Sequence, residues 1–284
     1  MKKRSGFLLT ATLFGYAFLY IPLVALVIFS FNASKSVTLW SGFSTHWYKS
    51  LFQNVQLTSA LWNSLKVAFL SSTFSVVIGL FASLVIVRFK DFLGRNFFKG
   101  LVAAPLLMPE VLLGLAFLLL FVSLEDIFGW PSSGSLTTVT LAHTTIAVAY
   151  VTAILTAQLT TLDQSLTEAA LDLGASPLKV FFVITLPIIY PALVGGWLLA
   201  FVLSFDDVVI ASFVAGPEAT TLPMVIFSSI RFGVSPELNA LATLLILAVA
   251  CFIFVVAFLN QRQKNFLKSV QPLEEGDVEV ERKT

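Results

Sequence analysis

The sequence predicts an all-α membrane protein of six transmembrane helices with both termini cytoplasmic, and three observations predict it. The first is composition: 57% of the 284 residues are hydrophobic, 28 are Phe and mean hydropathy is +0.92. Only 12% are charged, against about a quarter in a soluble domain. The second is a succession of apolar runs near the roughly 20 residues that a helix needs to cross a bilayer. The third is charge placement. All but Lys35, Lys49, Lys66 and Arg231 of the 17 Lys and Arg fall on one side of those runs, and basic loops stay cytoplasmic.

Taken in order, the spans fall at about 7–30, 62–87, 100–123, 135–158, 191–213 and 237–259. The first begins "MKKRSGFLLTATLFGYAFLY", which resembles a signal peptide. Its apolar stretch runs on to about Phe31 without a small-residue cleavage site, so it reads as a retained span. Pro105 and Pro109 kink the third span, and Asp206 and Asp207 interrupt the fifth. Segments 31–61, 124–134 and 214–236 are then outside, and the longest cytoplasmic loop is about 159–190. The transmembrane domain closes near residue 262. The tail, 263–284, ends "QPLEEGDVEVERKT", is charged without apolar periodicity, and reads as disordered.

Several functions are excluded at once. A net charge of +1 gives no electrostatic support for nucleic-acid binding. The single cysteine, Cys251, sits in an apolar run and rules out an intrachain disulfide or a Cys-based metal cluster. No metal centre is expected. The chain lacks a G-x-x-x-x-G-K-[ST] phosphate loop, so any ATP is hydrolysed elsewhere. No internal repeat supports the repeat architecture of many secondary transporters.

The cytoplasmic loop contains a short helix within "DQSLTEAALDLG". Ser165 and Glu168 have capping-box spacing, and Gly174 is placed to end the helix in the left-handed conformation. Ser176 and Pro177 then start a second helix, and Pro187 bends or breaks the chain before the fifth span. The first helix is shorter than the roughly 12 to 15 residues at which an isolated helix becomes marginal in water, so it needs a surface. Ala169, Ala170 and Leu173, beside Glu168 and Asp172, suit a groove on a partner. The alternative is that the helix lies on the membrane or packs under its own bundle.

Glu168-Ala169-Ala170, followed by Gly174, Ile184 and Leu186-Pro187, resembles the EAA signature of permease subunits in bacterial ABC importers, with every signature position present. Stretches such as "APLLMPEVLLGL" and "WLLAFVLSFDDVVIASFVAGPEATTLPMVIFSSIRFG" extend the likeness over nearly the whole chain. They look like the permeases of spermidine/putrescine importers, and most like the putrescine-system subunit. The resemblance implies a type I importer (MetI-like) permease fold in the bacterial inner membrane, forming half of a heterodimeric pore. It further implies a second permease subunit, a periplasmic polyamine-binding protein, and two ATPase subunits that hold ATP-Mg while this chain holds no cofactor. Residues 163–173 would be the coupling helix, with Glu168 meeting the ATPase and Gly174 allowing the turn.

Ionisable residues inside spans are costly and face cavities or partners. Glu110, Asp206 and Asp207 are such acids, and carboxylates along one route suit a polyvalent ammonium ion. Each also has a structural alternative. The aspartates could cap a broken span or pair with Arg231, and Glu110 could satisfy backbone groups freed by Pro109. Adjacent helical residues point about 100° apart, so one aspartate is expected to be structural. His143 reads as a hydrogen-bonded helix contact or, less favoured, a proton relay. Trp40, Trp47, Tyr48 and Trp130 form an interfacial belt or touch the delivery protein. Rival readings are a gradient-driven transporter, an anion importer of the same family, and a membrane hydrolase using Ser204, Asp206 and His143.

Overall fold

The computed structural model describes residues 2–35, 39–89, 92–232 and 235–270. Lys90, Arg282 and Lys283, placed on the cytoplasmic side above, and the tail from 271 lie outside the described residues. Among the described residues there is no β-strand, only isolated bridges between Asn32 and Phe43 and between Gly134 and Ala215. The chain forms two units: residues 55–232, and residues up to 54 together with those after 232.

The larger unit is built on α3 (Val55–Arg88), α6 (Leu136–Thr160) and α9 (Leu186–Phe205), which pack pairwise. In lipid no hydrophobic force draws helices together, so close approach through small residues and shared hydrogen bonds must do it. The buried stripe of α3 supplies both: Ser64, Ala68, Ser71, Ser75, Gly79 and Ala82 recur every three or four residues. A Cβ at Gly79 would stand 2.8 Å from Val151 Cγ1 of α6. Ser75 Oγ donates to Ser71 O at 2.5 Å and to Thr144 O of α6 at 3.2 Å. Against this trio lie α5 (Glu110–Phe128) and α10 (Val209–Val214), whose Phe117, Phe121, Ile210 and Val214 join Val67, Val139 and Ala142 in one core. Gly114 of α5 admits Phe213 of α10, because a Cβ there would lie 2.6 Å from the ring.

Two expected spans are redrawn. The third, 100–123, is two helices: α4 (Arg95–Leu107) ends inside it, Met108 is extended at φ −90°, ψ 139°, and Pro109 N-caps α5. A residue before proline is pushed out of the helical region, which places the break at Met108; Pro105 is carried within α4. The fifth, 191–213, starts earlier and stops sooner. Pro187 does not break the chain: α8 (Pro177–Val180), a π turn over Phe181–Thr185 and α9 form one helical run from Pro177 to Phe205. Pro187 and Pro191 each delete a backbone donor, and the wider π turn lets the run pass. The run ends before Asp206, and α10 resumes at Val209.

In the second unit, α1 (Lys2–Phe29) is exposed along its apolar length. Its Thr10 and Thr12 hydroxyls return to carbonyls one turn back, so neither enters lipid unsatisfied. After α1, Asn32 organises the turn: Nδ2 donates to Leu39 O at 2.7 Å, and Oδ1 accepts from the Ser41 N–H at 2.9 Å. The Asn32 carbonyl accepts Trp47 Nε1–H at 2.7 Å. Trp47, on α2 (His46–Gln53), is only 7% exposed, so it is a core residue of this unit and not part of an interfacial belt. Tyr48 hydrogen-bonds Ser30, whereas Trp40 remains exposed. Glu237, at the start of α12 (Pro236–Val270), accepts from Ser50 of α2 and from Asn54, the residue that follows it. The boundary drawn at 263 is no helix end, because α12 runs on to Val270. Among the described residues, five helices are long and apolar enough to span: 6–29, Val55–Arg88, Glu110–Phe128, Leu136–Thr160 and Pro177–Phe205. The apolar opening of α12, Pro236–Cys251, is shorter.

Candidate functional site

Two regions hold the candidate residues. The first is α7 (Gln164–Asp172), with both ends fixed by local chemistry. Its N-cap is Asp163, whose carboxylate accepts the Ser165 N–H at 2.9 Å, so Ser165 is already inside the helix and the expected Ser165–Glu168 box does not form. Both residues are good caps two positions apart, and the earlier one takes the end. That backbone N–H holds the Asp163 carboxyl below its ordinary value. At the other end Gly174 has φ +82°, its N–H reaches Leu171 O at 2.8 Å, and the Ala175 N–H reaches Ala170 O at 3.0 Å. These paired bonds are the Schellman closure, which needs the left-handed residue that glycine supplies. Ser176 then caps α8, accepting the Lys179 N–H, with Pro177 in its first turn.

α7 buries none of its residues. Glu168, Ala169 and Asp172 are exposed, Ala170 is half-buried, and Leu173 is exposed just beyond. The helix therefore does not use its patch to pack under its own bundle. Thr167 and Glu168 also edge a cavity of about 450 Å³ shared with Arg88, Leu159 and Thr185, where Arg88 donates weakly to the Thr185 hydroxyl at 3.4 Å.

The second region is the gap between α9 and α10. Asp207, one residue before the Val208 N-cap of α10, turns its carboxylate onto the first turn of that helix: Oδ1 accepts the Ile210 N–H at 3.3 Å, and Oδ2 accepts the Ala211 N–H at 2.8 Å. His143 Nε2 meets the same Oδ2 at 3.1 Å, in a pair whose side chains are 3% and 12% exposed. The other ring nitrogen, Nδ1, lies 2.7 Å from Ser204 Oγ, which accepts from Ser71 Oγ at 3.0 Å. Asp206 ends α9, with its backbone N–H on Val202 O, and is exposed. Glu110 begins α5 and is exposed. A cavity of about 50 Å³ brings Glu110 together with His143, Tyr150, Ser204 and Asp207, but not with Asp206. Arg231 stands over the Phe227 ring at 5.1 Å instead of on either aspartate.

Sequence reasoning missed Ser71 and Tyr150, and it paired Ser204 with the wrong aspartate. Ser204, His143 and Asp207 do contain the members of a hydrolytic triad, yet Ser204 is 7% exposed and its hydroxyl is held between Ser71 and His143. A nucleophile must reach a substrate carbonyl, so this is a helix-joining chain. Among the described residues no group of three or more His, Cys, Asp or Glu could hold a metal ion.

Comparison with known proteins agrees with this geometry. A family model, "Binding-protein-dependent transport system inner membrane component", matches residues 75–268. The Escherichia coli (strain K12) putrescine transport system permease protein PotI is 50% identical over 96% of this chain and 98% of its own. The spermidine/putrescine transport system permease protein PotC of the same organism is 38% identical over 89% of this chain and 91% of its own. In fold, a chain of a bacterial ABC transporter involved in alginate import aligns with a TM-score of 0.70 at 15% identity, covering 92% of this chain and 97% of that one. A chain of the MetNI methionine transporter aligns at 0.56 with 18% identity, covering 72% and 93%. The chain therefore belongs to the family of binding-protein-dependent transport system inner membrane components, as a multi-pass membrane permease.

Proposed function

We propose that this chain is one permease subunit of an ATP-driven importer, forming half of a heterodimeric pore for a polyamine, putrescine or spermidine. The observation that carries the ATP-driven part is α7: a short helix with both ends capped, bearing Glu168-Ala169-Ala170, with no residue buried against its own chain. Such a helix is completed by a surface on another protein, and we assign that surface to one of two ATPase subunits that hold ATP-Mg. The substrate class is that of the putrescine and spermidine/putrescine permeases to which the chain is 50% and 38% identical. A periplasmic binding protein delivers it. Both termini are cytoplasmic, and α12 makes the sixth crossing. Glu110 and Asp206 are the exposed carboxylates that meet ammonium groups in transit, while Asp207 serves the fold as a cap.

The test is purification of the chain with its bound partners and reconstitution in proteoliposomes with the binding protein. Uptake of labelled putrescine that requires ATP and the binding protein supports the reading. Uptake that persists without ATP and follows an ion gradient supports the gradient-driven rival. ATP-dependent uptake of phosphate or sulfate with none of polyamine moves the substrate to the anion class.

A further inference from the structure

The function proposed above gives His143 no task, although it is 4% exposed and uses both ring nitrogens. An apolar residue would fill this place on α6 without demanding polar partners. The imidazole instead ties together groups on four helices. Ser71 of α3 donates to Ser204 Oγ, the Ser204 O–H can donate to His143 Nδ1, and Nε2–H then donates to the Asp207 carboxylate. The same carboxylate takes the first free N–H groups of α10. Donors and acceptors thus run in one direction from a hydroxyl to a charge, leaving no ring nitrogen unpaired.

Ser204 lies in the last turn of α9, and Asp207, inside the three-residue gap 206–208, holds the first turn of α10 through its carboxylate. His143 ties Ser204 and Asp207 to α6, and Asp206 lies between those two residues in the chain. The geometry points to His143 as a positioning residue for transport: through Ser204 and Asp207 it fixes the gap that presents Asp206. This inference rests on Asp206 being a carboxylate of the substrate path. It assigns His143 no contact with substrate and no proton transfer.

The test uses the assembled, reconstituted complex. His143→Ala should leave assembly and maximal ATP hydrolysis intact while raising the KM for putrescine about tenfold, the equivalent of one hydrogen bond to a charged group. His143→Gln, whose amide can accept from Ser204 and donate to Asp207, should recover to within about threefold of wild type. A second readout does not depend on transport: Asp206→Cys in a Cys251→Ser background, alkylated by a water-soluble thiol reagent. Adding His143→Ala should change that alkylation rate about tenfold, because the gap is no longer held. If His143→Ala fails to assemble, Ser204→Ala removes one of the two imidazole contacts and should shift the rate in the same direction. Unchanged KM and unchanged alkylation in assembled variants overturn the inference, as does a defect equal in His143→Ala and His143→Gln. A wild-type complex that moves no polyamine overturns the functional reading instead and leaves the alkylation test standing.

Discussion

A carboxylate that already accepts three hydrogen bonds is poorly placed to strip water from a passing ammonium ion, and this separates Asp207 from Asp206. Asparagine keeps one oxygen for the three donors that the two carboxylate oxygens of Asp207 accept, so Asp207→Asn should loosen the same gap as His143→Ala and raise the KM for putrescine by a comparable factor, about tenfold. Asp207→Ala removes the cap and should cost about 1 kcal/mol in the thermal unfolding of the purified complex. Asp206→Asn should lower uptake about tenfold or more with assembly intact, the loss of one charge-assisted contact to the cation. Thermal unfolding separates the two: Asp207→Asn should destabilise the purified complex and Asp206→Asn should not, and an uptake loss in Asp207→Asn without that destabilisation would put Asp207 in the path. At α7, the Asp163 carboxyl titrates below its ordinary 3.8, so its cap is complete above that value and is lost as the pH falls through the lowered one. Acidification from neutrality toward pH 5 should therefore leave the coupling of ATP hydrolysis to uptake unaltered through this group. Sequence could say that one of two adjacent aspartates is structural, because helix geometry parts them. It could not say which, because His143 is 64 residues from Asp207 and no local pattern joins them.

Helix ends and close approaches follow from chemistry within a few residues, and these were the most legible features. Gly174, Ser176 and Pro177 stand where a Schellman closure and a new N-cap require them. Pro109 marks the break between α4 and α5. Asp163 and Ser165 were ambiguous because either can cap, and the early start of the fifth span was hidden because "LKVFFVITLP" is apolar enough to be helix or loop. Gly174→Val puts a branched side chain at φ +82°, a strain of about 1–2 kcal/mol for a left-handed residue. Membrane insertion should be unchanged, whereas ATP hydrolysis should no longer track uptake; full uptake by this variant would remove α7 as the coupling element. Gly114→Ala would press a methyl to 2.6 Å from Phe213 and should cost about 1–3 kcal/mol in unfolding, relieved in part by Phe213→Leu.

Membrane class and the helical fold were readable from hydropathy and length, since the bilayer leaves a chain few other ways to satisfy its backbone. What stayed hidden was packing across long sequence separations. Trp47 looked like a belt residue until Asn32 took its indole N–H, and Ser71 and Ser204, 133 residues apart, gave no sign of meeting. The assembled picture is a helical permease with a capped, exposed α7 and an exposed carboxylate, Asp206, at the gap between α9 and α10; on the proposed function, the first would meet an ATPase and the second a cation. On that proposal, substrate moves only when nucleotide hydrolysis drives it. The most direct measurement is putrescine uptake into proteoliposomes containing the purified complex, with the binding protein outside and ATP supplied or withheld. Uptake and binding-protein-stimulated ATP hydrolysis that rise together, and vanish together in Gly174→Val, are the predicted result. Putrescine uptake at the same rate without ATP would contradict it.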